Sequence, residues 1–320
     1  MLQIYRPAPP IHWDWLSLKG PDAADFLHRL TTVNVHALQP GEGSPGFFLS
    51  AQGKIRAYFR LWKLSSDEFF MELDAGATAQ WKRALHDVIE QFHFGEKFTM
   101  QEAHAAQSDP VPAWIFGDEL DRISEPGHMR ELETGIRVFN HGSADFGKPW
   151  ATAWASQLPL DTWIGSLGGE PIGFEVLERM RIEMARPRID VELSSDTIPL
   201  DAGLREAISD NKGCYPGQEV IEKIVSLGSP ARRLARIDGK GPAPTAGQSI
   251  FGAAAEATAA PAPEVGRVTS VIATDDGFQA LGFLRKTHAR EGAEVQFAAG
   301  AATRARIALV PEYKTKNEAS

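Results

Sequence analysis

The sequence has 320 residues, which is longer than one ordinary domain and predicts two or three units. Hydrophobic residues make up 43% and charged residues 23%, a composition typical of globular chains with a substantial core. The formal charge of −9 argues against strong non-specific nucleic-acid binding, and no apolar run is long enough to predict a membrane helix. Residues 1–7 lack the apolar core of a secretory signal, and Cys214 is the only cysteine, so we expect a reduced, cytoplasmic compartment.

The first hundred residues predict an α+β unit. Residues 26–30 place Phe and Leu on one helical face, whereas residues 55–61 and 69–73 alternate in the manner of strands. A core-facing helix comes next, because apolar residues recur at helical spacing. They are Trp81, Ala84, Leu85, Val88, Ile89 and Phe92. With a further strand over residues 97–102, the order strand, strand, helix, strand indicates the α+β class.

The middle of the chain predicts short strands and two more helices. Residues 114–116 and 135–139 are extended segments between glycines and prolines. A helix is predicted from the apolar face of Phe174, Leu177, Met180 and Met184, and Pro187 should end it. Residues 217–227 predict another helix, which is followed by Gly228 and Pro230.

After Arg232 the helical spacing disappears and short alternating segments follow one another. They cover residues 234–237, 264–271, 279–283, 294–297 and 304–309. About six short strands with glycine-rich turns predict a small antiparallel barrel or sandwich. We therefore expect an α+β body of two intertwined subdomains over residues 1–230 and a β-barrel over 231–313. The alanine-rich residues 253–263 should form a long hairpin loop and residues 314–320 a frayed tail.

Common catalytic and metal-binding signatures are absent from the sequence. It has no Walker A loop, no G-x-G-x-x-G after a strand, no H-E-x-x-H, no C-x-x-C and no G-x-S-x-G. The nine histidines are scattered, and the pair His86 and His93 lacks a third ligand at suitable spacing. The sequence therefore predicts no metal site.

One segment, residues 212–219, brings reactive residue types together around the only thiol. It reads Lys-Gly-Cys-Tyr-Pro-Gly-Gln-Glu, so two glycines bracket Cys214 just ahead of a predicted helix. Glycine lets the backbone approach a ligand closely, and the positive charge of Lys212 and of the helix start favours thiolate over thiol. The pattern favours Cys214 as a nucleophile or transient metal ligand assisted by Lys212. A lone cysteine that only packs as a small hydrophobe is the alternative.

This segment closely resembles the K-G-C-[FY]-x-G-Q-E signature of the YgfZ family, with Gly213, Gly217, Gln218 and Glu219 as its supporting positions. Proteins of that family bind folate and are linked to iron–sulfur cluster assembly or repair and to tRNA modification. They are related to the aminomethyltransferase (T-protein) of the glycine cleavage system. The resemblance implies a T-protein-like ring of several subdomains with a C-terminal antiparallel β-barrel.

The resemblance extends along nearly the whole chain with lower specificity. Residues 18–32 resemble the family's opening helix, residues 52–55 its glycine turn between strands, and residues 264–270 a strand of its barrel. The sequence also departs from the T-protein, where a pair of aspartates follows the glycine turn. The corresponding residues are Ala57 and Tyr58, neither of which can act as the acid that assists aminomethyl transfer.

Smaller departures lie elsewhere in the chain. Asn34 stands where relatives often have an aspartate, and Lys223 stands at the usual trailing arginine of the signature. The change at Lys223 preserves the positive charge.

The resemblance also implies a tetrahydrofolate site. Arg181-Ile182-Glu183 resembles the T-protein stretch whose glutamate holds the pterin, so Glu183 would accept hydrogen bonds from its N–H edge. Tyr215 would contact the folate, and Arg232 with Arg233 would pair with the carboxylates of its tail. Residues 212–240 carry six Lys/Arg and three Asp/Glu, a net charge of +3. A solvated helix face at Glu183 and an ordinary surface pair at Arg232 and Arg233 are the alternatives.

Three functions follow from the sequence. The first is a tetrahydrofolate-binding auxiliary protein whose partners are iron–sulfur enzymes or assembly proteins, with Cys214 as the reactive centre. The second is a folate-dependent one-carbon (aminomethyl) transferase acting on an unidentified amine or RNA substrate, against which Ala57 and Tyr58 argue. The third is a binding scaffold in which Cys214 only packs.

Overall fold

A computed structural model of the chain describes residues 1–7, 15–73, 79–102, 111–252, 262–297 and 304–311. The chain divides into two compact units, neither of which is continuous in sequence. The first unit comprises Met1–Leu177, Arg188–Asp190 and Glu206–Gly217, and the second comprises Glu178–Pro187, Val191–Arg205 and Gln218–Ser320. The expected boundary between residues 230 and 231 stays a prediction, and the expected tail over 314–320 lies outside the described residues.

The first unit contains a six-stranded sheet built from β1, β7–β11. Their bounds are β1 Gln3–Tyr5, β7 Val111–Phe116, β8 Met129–Glu131, β9 Arg137–Gly142, β10 Trp150–Ala155 and β11 Glu170–Ile172. The strand order is β11-β1-β7-β10-β9-β8, in which only the β1–β11 pair is parallel. A helix that the sequence analysis missed, α3 Gln157–Leu167, packs against β10 and buries Leu160.

A second, antiparallel sheet of the first unit has the order β3-β4-β5-β2-β6. Its strands are β2 Trp15–Lys19, β3 Gly43–Leu49, β4 Ile55–Lys63, β5 Glu68–Glu72 and β6 Thr99–Glu102. The predicted strand is present as β4, but Ala57 to Trp62 are all buried, so both faces of that strand are covered. Coverage of both faces is a tertiary property that strand periodicity does not encode.

Two helices accompany this sheet, α1 Ala23–Leu30 and α2 Ala79–Phe92. The predicted stripe on α2 is confirmed, because Trp81, Leu85, Val88 and Ile89 are buried. The helix that was expected to run to Pro187 is α4 Phe174–Glu183, and it ends earlier than predicted. Ala185 takes a left-handed conformation with φ +51° just beyond it, and Met184 is 36% exposed, so the prediction that Met184 belongs to the buried face was wrong.

The second unit contains the predicted barrel, which is closed and antiparallel with the order β12-β15-β14-β13-β16-β17. Its strands are β12 Arg232–Lys240, β13 Ser249–Gly252, β14 Glu264–Thr274, β15 Gly277–Arg285, β16 Glu294–Gln296 and β17 Arg304–Leu309, and helix α5 Gln218–Ser226 precedes them. The α+β class and the barrel are therefore confirmed, although β13 was not predicted. Most of the expected loop over 253–263 lies outside the described residues.

The barrel interior is apolar, and the outer face of β12 and β15 carries a second cluster. Ile237, Val268 and Phe278 are among the buried interior residues. On the outside, Leu234 and Leu281 pack with Ile182 and Ala185 from the end of α4. No helix in the described part of the chain is long and apolar enough to cross a membrane.

Candidate functional site

The motif segment begins as an extended loop in the first unit and enters α5 at Gln218. Cys214 is a free, exposed cysteine in this loop. The alternative that Cys214 only packs as a small buried hydrophobic residue therefore does not agree with the structure. An exposed thiol on a loop is open to chemical attack, provided that the loop holds it in place.

Lys212 fastens the loop to the C-terminal end of α1. Its Nζ donates hydrogen bonds to the backbone oxygens of His28 and Thr31, and it lies 4.9 Å from the centroid of the Tyr215 ring. The last carbonyls of a helix lack intrahelical partners and carry partial negative charge, so an ammonium group is a favourable cap. Tyr215 is 8% exposed and belongs to the core of the first unit.

Lys212 also interacts electrostatically with Cys214. Burial lowers the pKa of Lys212 to about 8, and the negative charge of a Cys214 thiolate opposes that shift. Lys212 therefore has two roles in this geometry, as an anchor of the loop and as a neighbouring positive charge.

Residues that follow α1 bind the segment just before the motif loop. Asn34 Nδ2 donates to the Asn211 oxygen at 2.5 Å, and Thr32 Oγ1 donates to the Ala207 oxygen at 2.6 Å. Asn34 is the position where relatives often have an aspartate. An aspartate could not donate this hydrogen bond, so the amide suits the local structure of this chain.

Gly217 lies against the glycine turn between β3 and β4. Its φ is +83°, and a Cβ atom built on it would lie 2.5 Å from the Ser50 oxygen and 2.9 Å from Gly53 Cα. The motif and the glycine turn, which the sequence analysis singled out separately, therefore meet in the first unit. Only glycine fits here without moving backbone atoms.

Gly217→Ala should lower the free energy of unfolding by about 2–4 kcal/mol, because left-handed strain and a backbone clash add together. Gly228→Ala is a matched control, since Gly228 has the same φ of +83° and no atom within 4 Å of the added Cβ. In the control, only the left-handed backbone strain should lower the free energy of unfolding, by about 1–2 kcal/mol. Urea unfolding measures both, and equal losses would show that the contact with Ser50 and Gly53 is unimportant.

Two histidines beside the motif loop were missed by the sequence analysis. The rings of His28 and His36 lie against each other at a 33° tilt, with centroids 4.1 Å apart, and a Cβ on Gly213 would lie 4.0 Å from His28 Nε2. His28 Nδ1 is buried and has no hydrogen-bond partner among the described residues. Burial, followed by the charges of Lys212 and His36, lowers the pKa of His28 to about 4, and Asp25 opposes this. The imidazole next to Gly213 is therefore neutral at pH 7.

Lys212→Gln should raise the pKa of His28 from about 4 toward the ordinary value of 6.5, because it removes a neighbouring positive charge. Titration of the imidazole by NMR measures this shift. Arg29→Gln is the control, since Arg29 already pairs with Glu96 at 2.6 Å. A wild-type His28 that titrates near 6.5 would contradict the arrangement. Because the folded pKa is depressed, His28 also makes the chain less stable as the pH falls below 6.5.

The expected pterin residue, Glu183, lies in the second unit at the end of α4. Its side chain is exposed, its carboxylate has no hydrogen-bond partner among the described residues, and its backbone oxygen accepts a hydrogen bond from Arg236 Nη1. A buried network lies next to it. Arg181 is 2% exposed and binds Glu178 in a bidentate pair at 2.7 Å, Ser270 Oγ at 2.7 Å and Glu192 at 3.3 Å.

The expected tail residues, Arg232 and Arg233, also belong to the second unit, and both already have partners. Arg232 Nε donates to Asp201 Oδ2 at 2.7 Å, and its guanidinium lies 4.6 Å from the centroid of the Phe283 ring. Arg233 Nη2 donates to the Pro311 oxygen at 2.6 Å, and burial lowers the pKa of Arg233. Both guanidinium groups therefore already use part of their hydrogen-bonding capacity within the protein.

The remaining motif positions, Gln218 and Glu219, form the first turn of α5 in the second unit. Gln218 Nε2 donates to Glu222 Oε1 at 3.2 Å, and Glu219 is exposed. The structure thus brings Lys212, Gly213, Cys214, Tyr215 and Gly217 together in one unit. Glu183, Arg232, Arg233, Gln218 and Glu219 belong to the other. No group of three or more His, Cys, Asp or Glu side chains in the described ranges is arranged to hold a metal ion.

The two positions that carry aspartates in the T-protein lie on β4. Ala57 is fully buried and Tyr58 is 3% exposed, and the Tyr58 ring lies 4.9 Å from that of Phe47. Both residues contribute to the core of the first unit. No carboxylate occurs at either position.

Comparison with known proteins gives relatives in sequence and in fold. A putative chloroplastic transferase of Arabidopsis thaliana is 25% identical over 296 residues, covering 88% of this chain and 65% of that protein. The tRNA-modifying protein YgfZ of Vibrio atlanticus is 23% identical over 231 residues, covering 71% of this chain and 68% of that protein. Aminomethyltransferases match at similar identity. No family model matches the chain.

A solved structure supports the same grouping at the level of the fold. Aminomethyltransferase T of the glycine cleavage system from Bartonella henselae has a TM-score of 0.79 with this chain, at 18% identity, covering 97% of this chain and 86% of that one. The chain thus resembles YgfZ and aminomethyltransferases in sequence, and it shares the fold of an aminomethyltransferase.

Proposed function

We propose that the chain is a cytoplasmic tetrahydrofolate-binding auxiliary protein that supports iron–sulfur cluster assembly or repair, with Cys214 as its reactive centre. The observation that carries the proposal is the geometry of the motif loop. Cys214 is exposed, Lys212 is close enough for its charge to interact with the thiolate, and the loop is anchored on α1. The partners are folate and iron–sulfur enzymes or assembly proteins.

Folate binding is supported by the exposed carboxylate of Glu183. This carboxylate has no hydrogen-bond partner among the described residues. The neighbouring Arg181, in contrast, is buried and donates hydrogen bonds to Glu178 and Ser270. A carboxylate with two free oxygens can accept two parallel N–H donors, as the edge of a pterin provides. Glu183 is therefore the group of this stretch that is available to a ligand.

An aminomethyl transferase acting on an amine or RNA is the weaker candidate. The family resemblance supplies it, but Ala57 and Tyr58 stand at the two acidic positions and both are buried in the core. Without a carboxylate there, a cationic reaction centre is not stabilised and no proton is accepted. A folate protein that uses its thiol fits these residues better.

Titration with tetrahydrofolate should show binding that weakens about tenfold or more in Glu183→Gln, because a hydrogen bond to a charged group is lost. Glu175→Gln is the matched control, since Glu175 is an exposed carboxylate on the same helix, α4. Unchanged affinity in Glu183→Gln would remove the pterin assignment. Detectable aminomethyl transfer by the wild-type chain would favour the transferase instead.

A further inference from the structure

The barrel of the second unit has a cavity that the proposed function does not use. Its volume is about 760 Å³, which is within the range of ordinary small-molecule sites. It lies where β12 and β14 end and where β15 and β17 begin, and its lining includes residues 238–240, 278–279 and 304–308. The residues expected to hold the folate do not belong to this lining. The cavity is therefore a separate candidate site.

Three polar side chains of the lining form a row across neighbouring strands. Gln279 of β15 is directly opposite Asp238 of β12, and on the other side of β12 Asp238 is directly opposite Arg306 of β17. The sequence neighbours Phe278 and Ile307 are buried inside the barrel, so the row is on the outer face. Two strand spacings, about 9.5 Å, separate the backbone positions of Gln279 and Arg306.

One end of the row has a hydrogen-bond acceptor without a donor. Gln279 Oε1 is buried and has no hydrogen-bond partner among the described residues. A buried polar atom without a partner is costly, and in the lining of a cavity it indicates that a ligand supplies the donor. A glutamine amide matches adenine, because its oxygen accepts from the amino group of the base while its nitrogen donates to a ring nitrogen.

The other end of the row is basic. Arg306 and Lys240 pair with carboxylates only at 3.6 and 3.7 Å, and their side chains are 72% and 88% exposed. Arg304 is also exposed and has no ion-pair partner in the part of the chain that the structure describes. Exposed pairs at such distances contribute little, so these cations are available to an anionic ligand. A guanidinium group can donate two parallel hydrogen bonds to a phosphate.

Asp238 lies between the two ends of the row. Arg236 donates to its two carboxylate oxygens at 3.1 and 3.3 Å, which offsets its negative charge. Each carboxylate oxygen can accept a second hydrogen bond, so Asp238 can also accept from hydroxyl groups. A carboxylate holds ribose hydroxyls in this way in dinucleotide-binding proteins. Amide, carboxylate and guanidinium thus follow one another in the order in which a nucleotide presents its base, ribose and phosphate.

We infer that this cavity binds an adenine mononucleotide. The base contacts Gln279, the ribose hydroxyls contact Asp238, and the phosphate contacts Arg306 with Arg304 and Lys240 beside it. A long nucleic acid is a poorer match, because it needs a continuous basic face, and acidic residues adjoin these cations. The inference does not depend on folate binding, since none of these residues belongs to the expected folate site.

Calorimetric titration of the full chain with adenosine 5′-monophosphate (AMP), ribose 5-phosphate and inorganic phosphate tests the inference. The wild type should bind AMP about tenfold more tightly than ribose 5-phosphate, because the sugar phosphate lacks the donor for Gln279. Gln279→Leu should weaken AMP binding about tenfold and leave ribose 5-phosphate unchanged. Arg306→Ala should weaken both about tenfold, because charge-assisted hydrogen bonds to the phosphate are lost.

Arg267→Ala is the matched control, since Arg267 is another exposed arginine of the barrel and pairs with Glu264 at 3.3 Å. This variant should bind AMP like the wild type. A wild type that does not bind AMP, or that binds inorganic phosphate equally well, would overturn the inference. AMP affinity that is unchanged in Arg306→Ala would overturn it too. Thermal unfolding checks that both site variants are folded, and the exposed Arg306 keeps the test decisive if Gln279→Leu is not.

Discussion

Cys214→Ala should abolish the ability of the chain to restore iron–sulfur enzyme activity in a host that lacks its own relative. A methyl group cannot replace thiolate chemistry. Since Cys214 is exposed, its removal opens no core cavity, and the free energy of unfolding should change by less than about 1 kcal/mol. The assay measures enzyme activity in cells, and urea unfolding of the purified variant measures stability. A Cys214→Ala variant that still complements would leave only a scaffold role.

Alkylation of the thiol gives an independent readout of the same site. Lys212→Gln should slow the reaction of Cys214 with iodoacetamide, because a neighbouring positive charge is lost. Lys223→Gln removes an exposed cation from α5 and serves as the control. If both variants react like the wild type, the charge of Lys212 does not activate the thiol.

Glu72→Ala should have the largest effect on stability, lowering the free energy of unfolding by about 3–5 kcal/mol. Glu72 is 2% exposed and joins β5 of one sheet to β9 and β10 of the other within the first unit. Its carboxylate accepts hydrogen bonds from four side chains. They are Trp62 Nε1 at 3.0 Å, Thr152 Oγ1 at 2.7 Å, Trp154 Nε1 at 2.9 Å and His141 Nε2 at 3.2 Å. Removing the acceptor leaves buried donors unsatisfied.

A matched control lies on the same strand. Glu68 forms an exposed pair with Lys19 at 2.7 Å, so Glu68→Ala should cost no more than about 1 kcal/mol. Guanidinium unfolding of the two variants measures the difference. A loss below about 1 kcal/mol for Glu72→Ala would mean that the network does not hold the two sheets together.

The same network predicts acid sensitivity. Burial raises the pKa of Glu72, but the hydrogen bonds and charge around it, above all from His141, outweigh burial and hold it below 4.5. Burial lowers the pKa of His141, and the charge of Glu72 opposes this shift. Because both folded pKa values are depressed, stability is lost as the pH falls, below 6.5 for His141 and below 4.5 for Glu72.

The sequence by itself determined the features that depend on local spacing. The apolar stripe of α2 and the alternation in the barrel strands are properties of neighbouring residues, and the structure bears them out. The motif at residues 212–219 can likewise be recognised from the sequence, because its lysine, glycines and cysteine lie within one short segment. Short β13 was missed, since a four-residue strand carries too little alternation.

Only the tertiary structure decided which distant residues surround the motif. Lys212 binds the backbone oxygen of His28 at the end of α1, although the two residues are 184 positions apart in sequence. The same packing of the two segments brings His28 close to Gly213. Two ion pairs likewise join residues that are distant in sequence. They are Glu72 with His141 and Arg232 with Asp201. Periodicity reports which face of an element is buried but not which polar group of another element meets it. Such pairings arise when packing brings the segments together, and burial then makes each unsatisfied group costly.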